Sequence, residues 1–141
     1  LLHGHVIGSG VELALLCDIR VAADNAVFSM PETYYGLIAA AGGTQTLPRM
    51  VKQGRALDIL LAGRPLNALD ARDTGLVQRV VKLDDLEMES ERIACHLTEI
   101  DPALSGAIKI ALATAPDLPL ADGLAHEQRL SIMLDRGVAG T

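Results

Sequence analysis

Tryptophan is absent from this 141-residue sequence, phenylalanine occurs once and tyrosine twice, so aromatic residues make up 2% of a chain that is 50% hydrophobic. A core built on stacked rings is thereby excluded. Leu, Ile, Val, Ala and Met must fill the interior instead, which suits the close helix and strand packing of an α/β fold. Cysteine is nearly as scarce: Cys17 and Cys95 stand alone, with no Cys-x-x-Cys and no ligand-spaced histidine beside either, which excludes a disulfide framework. Both lie in apolar, helix-like segments and are expected to be buried free thiols in a reduced, intracellular setting. Surplus cation is also lacking. The formal net charge is -6 and no Lys/Arg run interrupts it, so broad contact with nucleic acid is excluded. An anionic ligand would have to be held by individual cations and helix N-termini. No apolar stretch reaches membrane-spanning length without a charge or glycine, and the N-terminus lacks the order of a signal peptide, which predicts a soluble, cytoplasmic protein with no membrane partner. The chain opens at Leu1 without a methionine, on residues that read as the end of a buried strand, so a piece of a longer protein is expected.

What is present begins with that strand, Leu1 to Ile7, delivered into a tight turn at Gly8-Ser9-Gly10. A helix follows from Val11 to Cys17, apolar on nearly every side except Glu12, and is predicted to be central and buried. Ile19 to Ala23 and Ala26 to Ser29 read as short strands joined by Asp24-Asn25, turn chemistry for a hairpin-like or offset pair. After a loop at Met30 to Gly36, the small residues Ala39 to Gly43 allow close approach of another group and introduce a helix over Thr44 to Met50, kinked or ended by Pro48. Gln53 to Leu61 is helical and stops at Gly63; Pro65 to Thr74 is a short helix closing at Gly75; Val77, Val80 and Val81 form a strand. Three helices are predicted beyond, over residues 84–99, 102–114 and 120–135, so the pattern shifts from α/β to all-helical.

Several side chains have chemistry to offer, and each has a plainer role beside it. Gly8-Ser9-Gly10 lacks the further glycine and lysine of nucleotide-binding loops, but small residues at a strand-to-helix turn leave amides bare where a developing oxyanion can be stabilised. The plainer role is the turn itself, and on these residues alone it carries more weight. Glu12 completes a Ser9-x-x-Glu12 capping-box pattern, which on sequence alone outweighs catalysis. Its apolar neighbours nonetheless place its carboxyl at the mouth of a buried region. Glu32, after Pro31, reads as a solvated loop charge. His3 and His5 share one strand face but have no third ligand, so no metal site is expected. Tyr34 and Tyr35 have packing as their default role, with lining of a ligand pocket as the alternative.

Taken in order, Gly8-Ser9-Gly10-Val11-Glu12 through Cys17-Asp18-Ile19-Arg20, then Phe28-Ser29-Met30-Pro31-Glu32 with Gly36, then Gly42-Gly43-Thr44-Gln45 and Leu47-Pro48-Arg49, resemble the enoyl-CoA hydratase/isomerase (crotonase) family. Gly63-Arg64, Ala71 and Gly75-Leu76-Val77 extend the likeness across roughly the first 80 residues. The resemblance implies a partial ββα spiral over residues 1–83, followed by a helical region over 84–141 of the trimer-forming type, with a homotrimer or dimer of trimers as the assembly. It implies an acyl-CoA thioester as substrate, with coenzyme A entering as part of that substrate and no bound cofactor. One oxyanion donor would be the backbone N–H at Ser9, its partner coming from an upstream segment. Hydratases of the family carry glutamates at positions matching Glu12 and Glu32 and hold between them the water that adds to a trans-2-enoyl-CoA. Glu12 would chiefly activate that water, and Glu32 would be the acid at the α-carbon.

Two departures accompany the likeness. Where the family has Ile-Pro-Gly-Ala-Gly-Gly, this chain reads Ile38-Ala39-Ala40-Ala41-Gly42-Gly43, in a loop that borders the water site. If the matching glycine uses a positive φ, Ala40 would strain that loop by on the order of 1 kcal/mol. The upstream strands, the second oxyanion donor and most of the coenzyme-binding surface have no counterpart here, which predicts a poor catalyst from these residues alone. An isomerase of the same family and a non-catalytic assembly protein are the rival expectations.

Overall fold

The computed structural model describes Leu1–Asp135 and Gly137. The chain divides into two compact units, Leu1–Arg92 and the residues from Ile93 onward.

The first unit holds five short strands: β1 (His5–Ile7), β2 (Val21–Ala23), β3 (Val27–Ser29), β4 (Leu66–Asn67) and β5 (Arg79–Val81). They form two separate sheets. β1 pairs parallel with β3, setting Val6 opposite Phe28, and β3 pairs antiparallel with β4; β2 pairs parallel with β5, setting Ala22 opposite Val80. The hairpin-like pairing expected of β2 and β3 is therefore not formed. Asp24-Asn25 does make a tight turn, closed by the Ala26 amide on the Ala23 carbonyl at 3.0 Å, but the turn passes the chain from one sheet to the other. The physical reason lies in β2, where Val21, Ala22 and Ala23 are all buried. A strand apolar on both faces belongs in a parallel sheet covered on both sides, not in a hairpin with one wet face.

Helix α1 (Ser9–Leu15) follows β1 through Gly8, whose φ of 53° gives the left-handed bend that glycine allows. It buries the stripe Val11, Glu12, Ala14 and Leu15, while Leu13 and Leu16 are exposed at 67% and 66%, so the helix expected to be buried all round has one covered face. Cys17 lies past its end and is exposed, as is Cys95; the expected burial of both thiols is not found, because an apolar segment buries only the residues on its covered stripe. Helices α2 (Gly43–Met50), α3 (Gln53–Ala62) and α4 (Ala68–Asp73) follow, with Pro48 accommodated inside α2. α3 stops at Gly63 with φ 59°, and the Asn67 side chain caps α4 by accepting the Asp70 amide at 2.8 Å. Phe28, Met30, Leu47, Val11 and Val77 are its largest fully buried side chains and make the core, as a chain poor in rings requires. Arg20, also buried, is held by the Leu76 and Cys17 carbonyls, and burial lowers its pKa.

Helix α5 (Leu86–Thr98) spans the boundary between the units. The second unit continues with α6 (Pro102–Thr114) and α7 (Leu120–Asp135). Asp101 caps α6 by accepting the Ala103 and Leu104 amides, with Pro102 at its first turn, which is why this boundary was readable in the sequence. No helix among the described residues is long and apolar enough to cross a membrane.

Candidate active site

Glu12 is buried, 3% exposed, on the inward stripe of α1. Its Oε1 accepts the Ala41 amide at 2.9 Å and the Gly43 amide at 2.8 Å. The capping box proposed for α1 is not formed: the N-cap is Gly8 and no side chain caps that end. α2 likewise has no capping side chain of its own, since its N-cap is Gly42. Glu12 therefore does act as a helix cap, but for α2, placing an anionic acceptor against the first amide of another helix. The small residues that precede α2 make this approach possible, because a Cβ on Gly43 would stand 2.9 Å from Glu12 Oε1 and 2.8 Å from Met30 Cε.

Glu32 begins a 3-10 turn, Glu32–Tyr35, that closes on Gly36 with φ 68°. Its carboxyl reaches back over the start of α1: a Cβ on Gly8 would stand 2.8 Å from Oε1, so a bare glycine is needed there for space as well as for its bend. Oε2 is shielded from solvent and takes no hydrogen bond. Glu32 also lines a cleft of about 340 Å³ whose other walls are mostly apolar, among them Leu37, Ile38, Leu57, Leu60 and Leu61. Rather than being a solvated loop charge, it is half-buried in the wall of a mostly apolar space. Nothing in the local sequence signalled this; the family likeness alone singled out Glu32.

Both glutamates are linked to Gly8, Glu12 through its backbone amide and Glu32 through its carboxyl, while the Glu12 carboxyl itself is turned to the Ala41 and Gly43 amides. The Glu12 amide bonds the Gly8 carbonyl at 3.1 Å, and Gly8 is the residue against which the Glu32 carboxyl lies. The Ser9 and Gly10 amides make no hydrogen bond among the described residues, as the first amides of a helix do not. Ala40 is exposed in the connecting loop, and no non-glycine residue among those described has a positive φ, so the anticipated strain at Ala40 is not present; the left-handed position falls at Gly42, with φ 103°. Tyr34 neither packs in the core nor lines the cleft; its hydroxyl donates to the Ala62 carbonyl at 2.6 Å. Among the described residues no group of three or more His, Cys, Asp or Glu could hold a metal ion.

Short, mostly parallel strands and a glycine-bent helix start define an α/β chain. The profile of the enoyl-CoA hydratase/isomerase family matches residues 1–134, and the chain belongs to that family of lyases and isomerases. It is 39% identical over 127 residues to a probable enoyl-CoA hydratase of Mycobacterium leprae, covering 90% of this chain and 49% of that protein. Among solved structures it is similar to enoyl-CoA hydratase subunit I of Geobacillus kaustophilus, with a TM-score of 0.91, 38% identity and coverage of 95% of this chain and 52% of that one. A candidate enoyl-CoA hydratase of Thermobifida fusca, crystallised with acetoacetyl-CoA, superposes with a TM-score of 0.92 at 32% identity over 95% of this chain and 52% of that one. The chain spans about half the length of the relatives it matches.

Proposed function

We propose that these residues supply the glutamate pair of an enoyl-CoA hydratase, adding water across the double bond of a trans-2-enoyl-CoA thioester. The observation that supports this reading is that the helix carrying Glu12, whose buried carboxyl is held by the Ala41 and Gly43 amides, starts at Gly8, over which the Glu32 carboxyl lies beside amides with no protein acceptor. In the proposed step, Glu12 takes a proton from water as the hydroxyl bonds to the β-carbon. The π electrons move toward the thioester oxygen, where the Ser9 N–H stabilises the developing enolate. Glu32, protonated, then returns a proton to the α-carbon, and the atoms balance as one water added. The loop at Ala40 borders the water. The apolar cleft beyond Glu32 suits an acyl chain, which binds by burying apolar surface and needs no basic field. Coenzyme A enters only as part of the substrate, and the helices from residue 84 onward would serve assembly into trimers.

Retention of Glu12 favours hydration over isomerisation, because family isomerases commonly keep only the glutamate matching Glu32. The test is trans-2-enoyl-CoA hydration by the intact protein, comparing wild type with Glu12→Gln and Glu32→Gln. Each variant is expected to lose at least about 10²-fold in kcat, the lower range for removing an acid or base. Near-wild-type turnover in both removes the proposal, and faster consumption of a 3-enoyl-CoA than hydration of the 2-enoyl isomer assigns the protein to isomerisation.

A further inference from the structure

Glu32 Oε2 is buried and takes no hydrogen bond from the described residues, so where the group sits depends on the turn that carries it. The hydrogen bonds within that turn, Tyr34 amide to Pro31 carbonyl and Leu37 amide to Glu32 carbonyl at 3.0 Å each, shape it without fixing it to anything else. Its side-chain ties to another element run to the end of α3. The Tyr34 hydroxyl donates to the Ala62 carbonyl at 2.6 Å, and Thr33 Oγ1 lies 3.4 Å from the Leu61 carbonyl. These are terminal carbonyls of a helix, which lack amide partners within it and accept such donors readily. The Tyr34 ring lies against Gly63, where a Cβ would come within 3.0 Å of Cε2. The residue is 68% exposed, so core packing does not account for its placement.

We propose that Tyr34 is a positioning residue for Glu32: its phenol fastens the 3-10 turn to the C-terminal end of α3 and thereby fixes the carboxyl over Gly8. This rests on the reading of Glu32 as the acid at the α-carbon. A shift of about 1 Å in a reacting group is enough to cost up to 10²-fold in rate, whereas substrate affinity resides in the cleft walls and does not depend on the phenol. The experiment measures hydration of a trans-2-enoyl-CoA by the intact protein carrying Tyr34→Phe, and carrying para-aminophenylalanine at position 34, which restores a donor at the same point. Tyr34→Phe is expected to lower kcat about tenfold with KM changed by less than about twofold, and to alter the pH profile of kcat; the amino group is expected to restore both. Wild-type kcat and pH profile in a folded Tyr34→Phe protein would overturn the proposal, as would a folded para-aminophenylalanine protein whose kcat stays low. Glu32→Gln, measured alongside, separates the two levels: if it retains activity the reading of Glu32 itself is wrong, and if it is inactive while Tyr34→Phe is unimpaired only the anchoring role fails.

Discussion

Replacing Glu12 by alanine and by glutamine separates its capping of α2 from its chemistry. Glutamine keeps an oxygen where the Ala41 and Gly43 amides donate, at 2.9 and 2.8 Å. It exchanges two charge-assisted bonds for neutral ones, a loss of about 1 kcal/mol each. Alanine leaves both amides without an acceptor beside a position that is 3% exposed, at about 1–3 kcal/mol each, and adds a cavity where the side chain was. Glu12→Ala should therefore be less stable than Glu12→Gln by about 2 kcal/mol or more, although both lose turnover. Urea denaturation measures this, and with a slope of about 2 kcal/mol per molar the midpoints differ by about 1 M. Equal midpoints for the two variants would refute the argument, because the carboxyl would then contribute nothing to holding the start of α2.

Gly43→Ala should destabilise the fold by about 1–3 kcal/mol and reduce hydration, since its methyl would meet Met30 Cε at 2.8 Å, Ala39 Cβ at 3.1 Å and the tethered Glu12 Oε1 at 2.9 Å; an unchanged melting temperature would contradict this. Glu89 accepts hydrogen bonds from Arg92 at 2.8 Å and Arg79 at 2.6 Å, and these, the Arg92 bond first, hold its carboxyl down at about 2 against an ordinary 4.5. Because the folded value is the lower one, the contribution is complete above 4.5 and fades as pH falls toward 2. The melting-temperature difference between wild type and Glu89→Gln should therefore narrow across that window, and less so in high salt; a difference independent of pH would count against it.

Helix boundaries were legible because they are written in local chemistry. Gly63 ends α3 and Asp101 with Pro102 opens α6, each through a backbone conformation or cap that one or two residues decide, whereas the helix expected from Pro65 starts only after Asn67, because Leu66–Asn67 pairs with β3 as a strand. Strand pairing was not legible, since β1 meets β3 and β2 meets β5 across intervals that no turn signal spans. The exposure of Cys17 was missed for a related reason: α1 buries one stripe, and a neighbouring apolar residue off that stripe does not share its burial. For the site, Ser9-x-x-Glu12 pointed to a cap, and the structure retains the capping chemistry while moving it to α2, thirty-one positions from the Gly43 amide. The small residues Ala39 to Gly43 were a correct signal of close approach, but not of what approaches. Tyr34 gave no signal at all, because its partner is a terminal carbonyl and carbonyls are the same in every residue.

The most direct test of the central claim follows the α-hydrogen. A 3-hydroxyacyl-CoA incubated with the intact protein in D2O should acquire deuterium at the α-carbon. Glu32→Gln should abolish that exchange, because the group that carries the proton is gone, while Glu12→Gln should lose hydration yet keep measurable exchange. Undiminished exchange in Glu32→Gln would contradict the assignment of Glu32 as the α-carbon acid and, with it, the division of labour between the two glutamates.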